Sequence, residues 1–290
     1  MMEILHQPNE MQQWVRAQRR TGASIGLVPT MGYFHDGHLS LMRLAQQHAD
    51  LVVVSLFVNP TQFGPSEDLD RYPRDLERDM LMLRREQVAA VFVPTPELMY
   101  PSGFQTEVQV QHLTKHLCGR TRPNHFAGVA TVVTKLFNIV QPDVAVFGEK
   151  DYQQITVIRR LVADLNLPVR IVGGPIVRED DGLAMSSRNA NLEPLHRASA
   201  RSLSTGLSLA RELYRKGERN AANIAAAVQR HILSFPFTAI DYVNLVDSRS
   251  LEPVQQADAH TLLALAVHIN GKVRLIDNGL LSPSPQDRTI

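Results

Sequence analysis

His35-Asp36-Gly37-His38 spaces two imidazoles three residues apart around a single glycine. Imidazoles so spaced can donate to phosphate oxygens, and the bonds strengthen when the rings are protonated. They matter most as charge grows on a phosphorus under attack and on a departing pyrophosphate. Gly37 removes the Cβ where a base or ribose would press on the backbone. Taken alone the pattern is weak, because surface histidines produce it readily. Its setting is informative: the apolar run Ile25–Val28 precedes it and stops at Pro29-Thr30-Met31-Gly32. A helical apolar pattern (Leu39, Leu41, Met42, Leu44, Ala45) follows. Strand, glycine turn and helix start make a phosphate site, since the first N–H groups of a helix have no intrahelical acceptor. A second candidate is Met185-Ser186-Ser187-Arg188, two hydroxyls and a guanidinium that could close over a triphosphate or, more simply, cap the next helix.

These segments need a scaffold, and the apolar pattern supplies one. Leu51–Phe57, Ala89–Val93, Val144–Phe147 and Val169–Val172 read as further buried strands. Helices are predicted over 7–20, 74–87, 129–140 and 152–165, with 94–119 left as loop and short strand. Alternation of this kind gives an α/β fold, a doubly wound Rossmann-like parallel sheet with right-handed crossovers. Its ligands bind beyond the carboxyl ends of the strands, where strand order reverses. His35–His38, Asn59–Gln62 and Gly148–Asp151 all follow strands. Past Pro175–Arg188 the pattern changes to two long helices (about 194–216 and 219–234), then strands near 240–246, 261–267 and 273–277. That is a smaller C-terminal α+β domain, which puts the expected division at 1–180 and 181–290. The tail Ser282-Pro283-Ser284-Pro285 is expected to fray.

Thirty Lys and Arg against 29 Asp and Glu leave a net charge of +1, with no electrostatic footprint for nucleic acid or an anionic membrane. The single Cys118 excludes an internal disulfide and a cysteine-rich zinc site, and reads as a buried spectator. Glu3, His6, Asn9 and Glu10 interrupt what would have to be a signal-peptide core, and no segment approaches a membrane span. A cytoplasmic metabolic enzyme is expected. His112, His116 and His196 read as solvated.

His35–His38 with Met185–Arg188 resembles the paired His-x-Gly-His and Lys-Met-Ser-Lys-Ser signatures of the nucleotidylyltransferase superfamily. More closely, Pro29–Gly32, Phe57-Val58-Asn59-Pro60-Thr61-Gln62-Phe63, Gly148-Glu149-Lys150-Asp151-Tyr152-Gln153-Gln154 and Asp181–Asn189 resemble the pantoate–β-alanine ligase family. The likeness runs in order from about residue 24 to 192, and Arg274-Leu275-Ile276-Asp277-Asn278 also resembles it. Ala184 stands where the superfamily signature begins with lysine, a charge that Lys150 could supply.

The resemblance implies a magnesium- and ATP-dependent ligase in which pantoate forms an adenylate that β-alanine then attacks. It places Met31, Gly32, Tyr33, Phe34, His35, Asp36, Gly37 and His38 at ATP, with His38 as general acid. Gly148, Glu149, Lys150, Asp151, Val177, Met185, Ser186, Ser187 and Arg188 complete that site. His35, His38, Lys150, Ser186, Ser187 and Arg188 carry the catalysis. Gln62 and Gln154 hold pantoate, Gln62 also meets β-alanine, and Asn59 and Arg122 are further substrate or gate residues. Direct metal ligands are not implied, and a homodimer is. Neutral glutamines suit a substrate read through hydroxyls and one carboxylate. An adenylyltransferase acting on a phosphorylated acceptor shares the first domain, but it would want an extra cationic pocket. A tRNA synthetase is disfavoured by length and charge, and a non-catalytic nucleotide-binding module by retention of the catalytic set.

Overall fold

A computed structural model describes residues 2–65 and 67–282. The chain forms two compact units. One comprises Met1–Thr114, Arg122–Glu149 and Gln154–Gly174, the other Lys115–Thr121, Lys150–Gln153 and Pro175–Ile290. The last handover thus falls at 174/175, ahead of the expected 180/181, and two short segments from earlier in the chain group with the second unit.

In chain order the elements of the first half are β1 (Glu3–Leu5), α1 (Pro8–Arg20), β2 (Ile25–Thr30), α2 (Asp36–Gln46) and β3 (Leu51–Leu56). There follow α3 (Leu76–Arg85), β4 (Ala90–Phe92), α4 (Pro96–Met99), α5 (Leu117–Thr121), α6 (His125–Val140), β5 (Val144–Gly148), α7 (Tyr152–Asp164) and β6 (Arg170–Gly174). Six strands form one sheet in the order β1-β4-β3-β2-β5-β6, and every neighbouring pair is parallel. From β2 the chain builds outward through β3 and β4, then returns to lay β5 and β6 on the other flank. Strand order therefore reverses between β2 and β5, where Gly26 pairs with Val144 and Leu27 with Ala145. Ligands of open parallel sheets bind at that crevice.

The core explains the pattern. Ile25, Leu27, Val28, Val53, Val54, Val91 and Val146 are fully buried, as continuous apolar strands covered on both faces must be. Phe34, Met42, Ala45 and Leu83, from the loop and helices, pack into one cluster with Val28, Val54, Val91 and Val146.

Three departures from the sequence reading have local causes. β1 has no signature in the sequence because it is a three-residue edge strand that is mostly exposed, too short for a pattern. α6 begins at His125, four residues before the expected start, because its first turn contains Gly128, whose role is spatial (below). Among the described residues 94–116 holds α4 and no strand; Pro96 opens that turn and Thr95 Oγ1 caps it at 3.4 Å from Leu98 N.

The second unit packs α8 (Arg197–Arg215) and α9 (Ala221–Leu233) on an antiparallel sheet of β7 (Thr238–Asp247), β8 (Thr261–Ile269) and β9 (Val273–Leu280). Leu203, Leu207, Ile224, Val228, Leu263, Leu265 and Val267 form its core. His196, expected in solvent, is buried at 5% exposure with its ring edge-on to Phe237 at 4.8 Å. His116 is half-buried and lies 3.1 Å from Glu252, whereas His112 is exposed as expected. Cys118 is half-buried. The expected frayed tail falls, from residue 283 on, outside the described residues.

Candidate active site

The loop between β2 and α2 leaves the sheet at the strand-order reversal. Gly32 (φ +82°) and Tyr33 (φ +53°) are both left-handed, which turns the chain sharply into the helix. Gly32 is required there twice over: its φ favours glycine, and a Cβ would sit 2.9 Å from Asp79 Oδ2. Asp79, on α3, was not singled out from the sequence. It is 1% exposed, and its carboxylate accepts from Tyr33 N at 2.7 Å and Phe34 N at 2.8 Å. Burial raises its pKa against those two hydrogen bonds, which favour the charged form. Arg78 donates to Phe34 O at 3.0 Å and lies 5.1 Å from the centre of the Tyr33 ring. The first turn of α3 thus grips the loop from the side.

That grip delivers His35 to the N-cap of α2 and His38 to its third position, where the two form a reciprocal capping box. His38 Nδ1 lies 3.4 Å from His35 N, and the ring centres are 4.1 Å apart. An acceptor role at Nδ1 leaves Nε2 as the protonated nitrogen of a neutral ring, hence a donor toward ligand. Both imidazoles are half-buried and Asp36 is exposed. Phe34 differs from its neighbours: its side chain is fully buried in the core, and its main-chain N–H and carbonyl are engaged by Asp79 and Arg78.

The loop after β3 carries the glutamine. Asn59 was expected to touch substrate, yet it is 1% exposed and its amide is spent internally. Its Oδ1 accepts from Tyr100 Oη at 2.8 Å and Thr61 Oγ1 at 3.0 Å, and its Nδ2 donates to Gly128 O at 3.1 Å. It shapes the loop. Gln62 is half-buried, with Nε2 3.0 Å from Met31 Sδ and Oε1 3.3 Å from Asn59 Nδ2. Its main-chain carbonyl accepts from Arg122 Nη2 at 3.1 Å and lies 2.9 Å from His125 Nδ1. Arg122 is also ion-paired with Glu67, Nε to Oε1 at 2.7 Å. Burial alone would raise the Glu67 carboxyl, but the hydrogen bonds and charge of Arg122 outweigh it and hold it below the usual carboxylate range. Arg122 therefore anchors the loop and the back of Gln62. Gly128 completes the seat: a Cβ there would fall 2.5 Å from Thr61 O.

Beyond β5, Gly148 and Glu149 stay in the first unit. Glu149 occupies the space beside Gly173 that a Cβ at that glycine would take. Gln154 is half-buried with its amide uncommitted among the described residues. Its neighbour Gln153 is 7% exposed. Within the second unit Gln153 receives Cys118 N at 3.0 Å and donates to His116 O at 2.8 Å, so it is structural.

The other candidates lie in the second unit. Lys150 Nζ is 3.9 Å from Asp151 Oδ2, too long for a tight pair, and Asp151 is 49% exposed at its side chain. Val177 to Met185 form a short antiparallel arm, closed by Met185 N to Val177 O at 2.9 Å and Glu179 N to Leu183 O at 2.8 Å. Gly182 (φ +90°) turns it. Arg197 ties Glu179 and Asp181 to α8 at 2.6 and 2.7 Å. The arm presents Ser186, whose Oγ accepts from Arg188 N at 3.3 Å and caps the 3-10 turn Ser187–Asn191, the plainer role weighed for it above. Ser187 is 7% exposed and Arg188 half-buried. Among the described residues no three His, Cys, Asp or Glu side chains cluster as a metal cage.

A family model described as pantoate-beta-alanine ligase matches residues 3–280. A pantothenate synthetase of Desulforapulum autotrophicum is 57% identical over 97% of this chain and 99% of its own length. The crystal structure of pantothenate synthetase from Thermus thermophilus superposes with a TM-score of 0.92 at 44% identity, covering 97% of this chain and 100% of that one. That of the Francisella tularensis pantoate-beta-alanine ligase, complexed with beta-gamma ATP and beta-alanine, gives 0.80 at 32% identity, covering 98% and 100%.

Proposed function

The chain belongs to the pantoate–β-alanine ligase family, and on that premise we propose that it condenses pantoate with β-alanine to pantothenate, using ATP, through a pantoyl adenylate. One observation carries the reading at the level of side chains. His35 and His38 sit at a helix start on the crevice between β2 and β5, while Gln62 is braced against Met31 on the neighbouring loop. Phosphate donors and a neutral amide side by side suit an anhydride-forming reaction between a triphosphate and a hydroxy acid.

Pantoate's carboxylate oxygen forms a bond to the α-phosphorus as the bond to the β,γ-pyrophosphate breaks. His38 and His35 donate to the phosphate oxygens that gain charge, a preorganised arrangement because Asp79 holds the loop that leads into them and His38 Nδ1 is set against His35 N. Gln62 and Gln154 hold pantoate. Lys150, Ser186, Ser187 and Arg188 bind phosphate. β-Alanine's amine then attacks the acyl carbon and AMP departs. Magnesium neutralises the triphosphate when bound. The exposed Asp151 would offer it a carboxylate. No helix among the described residues is long and apolar enough to cross a membrane. A cytoplasmic homodimer is part of the same proposal.

The test is pyrophosphate exchange. Labelled pyrophosphate should enter ATP when pantoate and magnesium are present and β-alanine absent. His38→Ala should slow the exchange on the order of 10²–10³-fold. Exchange that needs β-alanine would refute the adenylate, and exchange driven by a phosphorylated acceptor instead of pantoate would make the protein an adenylyltransferase.

A further inference from the structure

Asp277 and Asn278 end the Arg274–Asn278 segment and have no role in the chemistry above. Both are buried, at 2% and 7% exposure, on β9, and β9 is held along its length by β8, with Leu265 facing Asp277 and Ala264 facing Asn278. Buried polar side chains on a strand are costly unless each is satisfied, so their partners are informative. Asp277 meets the guanidinium of Arg178 as a fork, Nη1 to Oδ2 at 2.7 Å and Nη2 to Oδ1 at 2.9 Å. Arg178 Nη1 also donates to Gly182 O at 3.0 Å, so one side chain spans the arm from its start to its turn and fastens both to β9. Asn278 Nδ2 donates to the main-chain carbonyl of Lys150 at 2.7 Å, and Asn278 N donates to Asp277 Oδ1 at 2.8 Å.

Successive residues of a strand point to opposite faces, so one dipeptide can hold two segments that are far apart in sequence. Here those are Lys150 and the arm that ends in Met185–Arg188. We infer that Asp277 and Asn278 are positioning residues that set the spacing between Lys150 and the Ser186-Ser187-Arg188 phosphate grip. This rests on the assignment of those segments to ATP made above. The contacts given above for both side chains are to protein groups. Their contribution is to hold two cationic groups at one fixed separation before the triphosphate arrives, which lowers the ordering cost of binding it. Burial works against the charge on Arg178, but the bonds and charge of Asp277 overcome it and raise its pKa, so the fork stays ionic throughout the physiological range.

The test uses the full-length enzyme, with the affinity for α,β-methylene-ATP read by calorimetry. Asn278→Ala deletes the bond to Lys150 and should weaken analogue binding about fivefold to tenfold. The KM for ATP in pantoate-dependent exchange should rise in proportion and the KM for pantoate should stay level. Arg178→Lys keeps the charge against Asp277 but loses the fork, and should show the same ATP-specific loss; it carries the test if Asn278→Ala does not fold. Ile224→Val, a core change in the same unit, controls for stability: matched in Tm, it should leave analogue affinity at the parental value. Parental affinity in both variants would overturn the inference, as would an equal loss in Ile224→Val. A parent that binds the analogue yet shows no pantoate-dependent exchange would instead overturn the proposed function.

Discussion

Replacing Gly128 by alanine should separate activity from stability. Gly128 lies in the first turn of α6, against the loop that carries Gln62. An added Cβ would stand 2.5 Å from Thr61 O, 2.6 Å from Thr61 C and 2.7 Å from Gln62 N. All three are backbone atoms, so no rotamer change relieves the overlap. The loop must retreat by roughly 1 Å to regain ordinary van der Waals contact. Two opposing terms act on stability. Alanine is a better helix former than glycine by about 1 kcal/mol. Overpacking costs about 1–3 kcal/mol, and the 3.1 Å bond from Asn59 to Gly128 O is strained as well. The net loss is about 2 kcal/mol at most, small enough for the variant to remain folded at room temperature. Activity has no such compensation, because Gln62 moves with the loop while His35 and His38, on a separate element, stay in place. A misplacement of about 1 Å can cost on the order of 10²-fold in rate. Steady-state kinetics with pantoate varied at saturating ATP should show kcat/KM for pantoate falling by about that factor, with the KM for ATP near the parental value. A folded Gly128→Ala enzyme with parental pantoate kinetics would refute the seat assigned to Gln62, and a loss confined to ATP would refute its substrate.

The adjacent glutamines should respond oppositely. Gln154→Ala should weaken pantoate binding by roughly tenfold or more at unchanged Tm. Gln153→Ala should lower Tm by removing the bonds to Cys118 and His116, and equal behaviour of the two in calorimetry would refute the division. Asp181 makes a pH prediction. The hydrogen bond from Arg197, helped by Leu183 N, lowers its pKa from 3.8 to about 2, so its stabilisation is present above 3.8 and is lost as pH falls through about 2. The Tm deficit of Asp181→Asn should therefore be full at neutral pH and close across that window. A deficit that persists at the acid end would place its cause outside the ion pair.

Much of this protein is written locally. The four interior strands could be read because parallel strands covered on both faces must be continuously apolar, and the His35–His38 turn because a helix start following such a strand needs donors and a glycine. Sequence order alone also placed Asn59–Gln62 and Gly148–Asp151 after strands. Which member of each motif meets solvent was not legible. Asn59 and Gln62 stand three residues apart in one loop, yet one is consumed by Tyr100, Thr61 and Gly128 and the other is presented. Gln153 and Gln154 divide in the same way. Apart from Thr61, those partners lie tens of residues away, and no local period encodes them. The same holds for Asp79, whose grip on Tyr33 and Phe34 spans over forty positions, and for Gly128, which lies outside the helix expected over 129–140 and whose role shows only with the Gln62 loop against it. Chemistry is carried by residue type and local turn, which the sequence contains. Orientation is carried by long-range hydrogen bonds and by atoms that fill or leave space, and only the tertiary structure decides those.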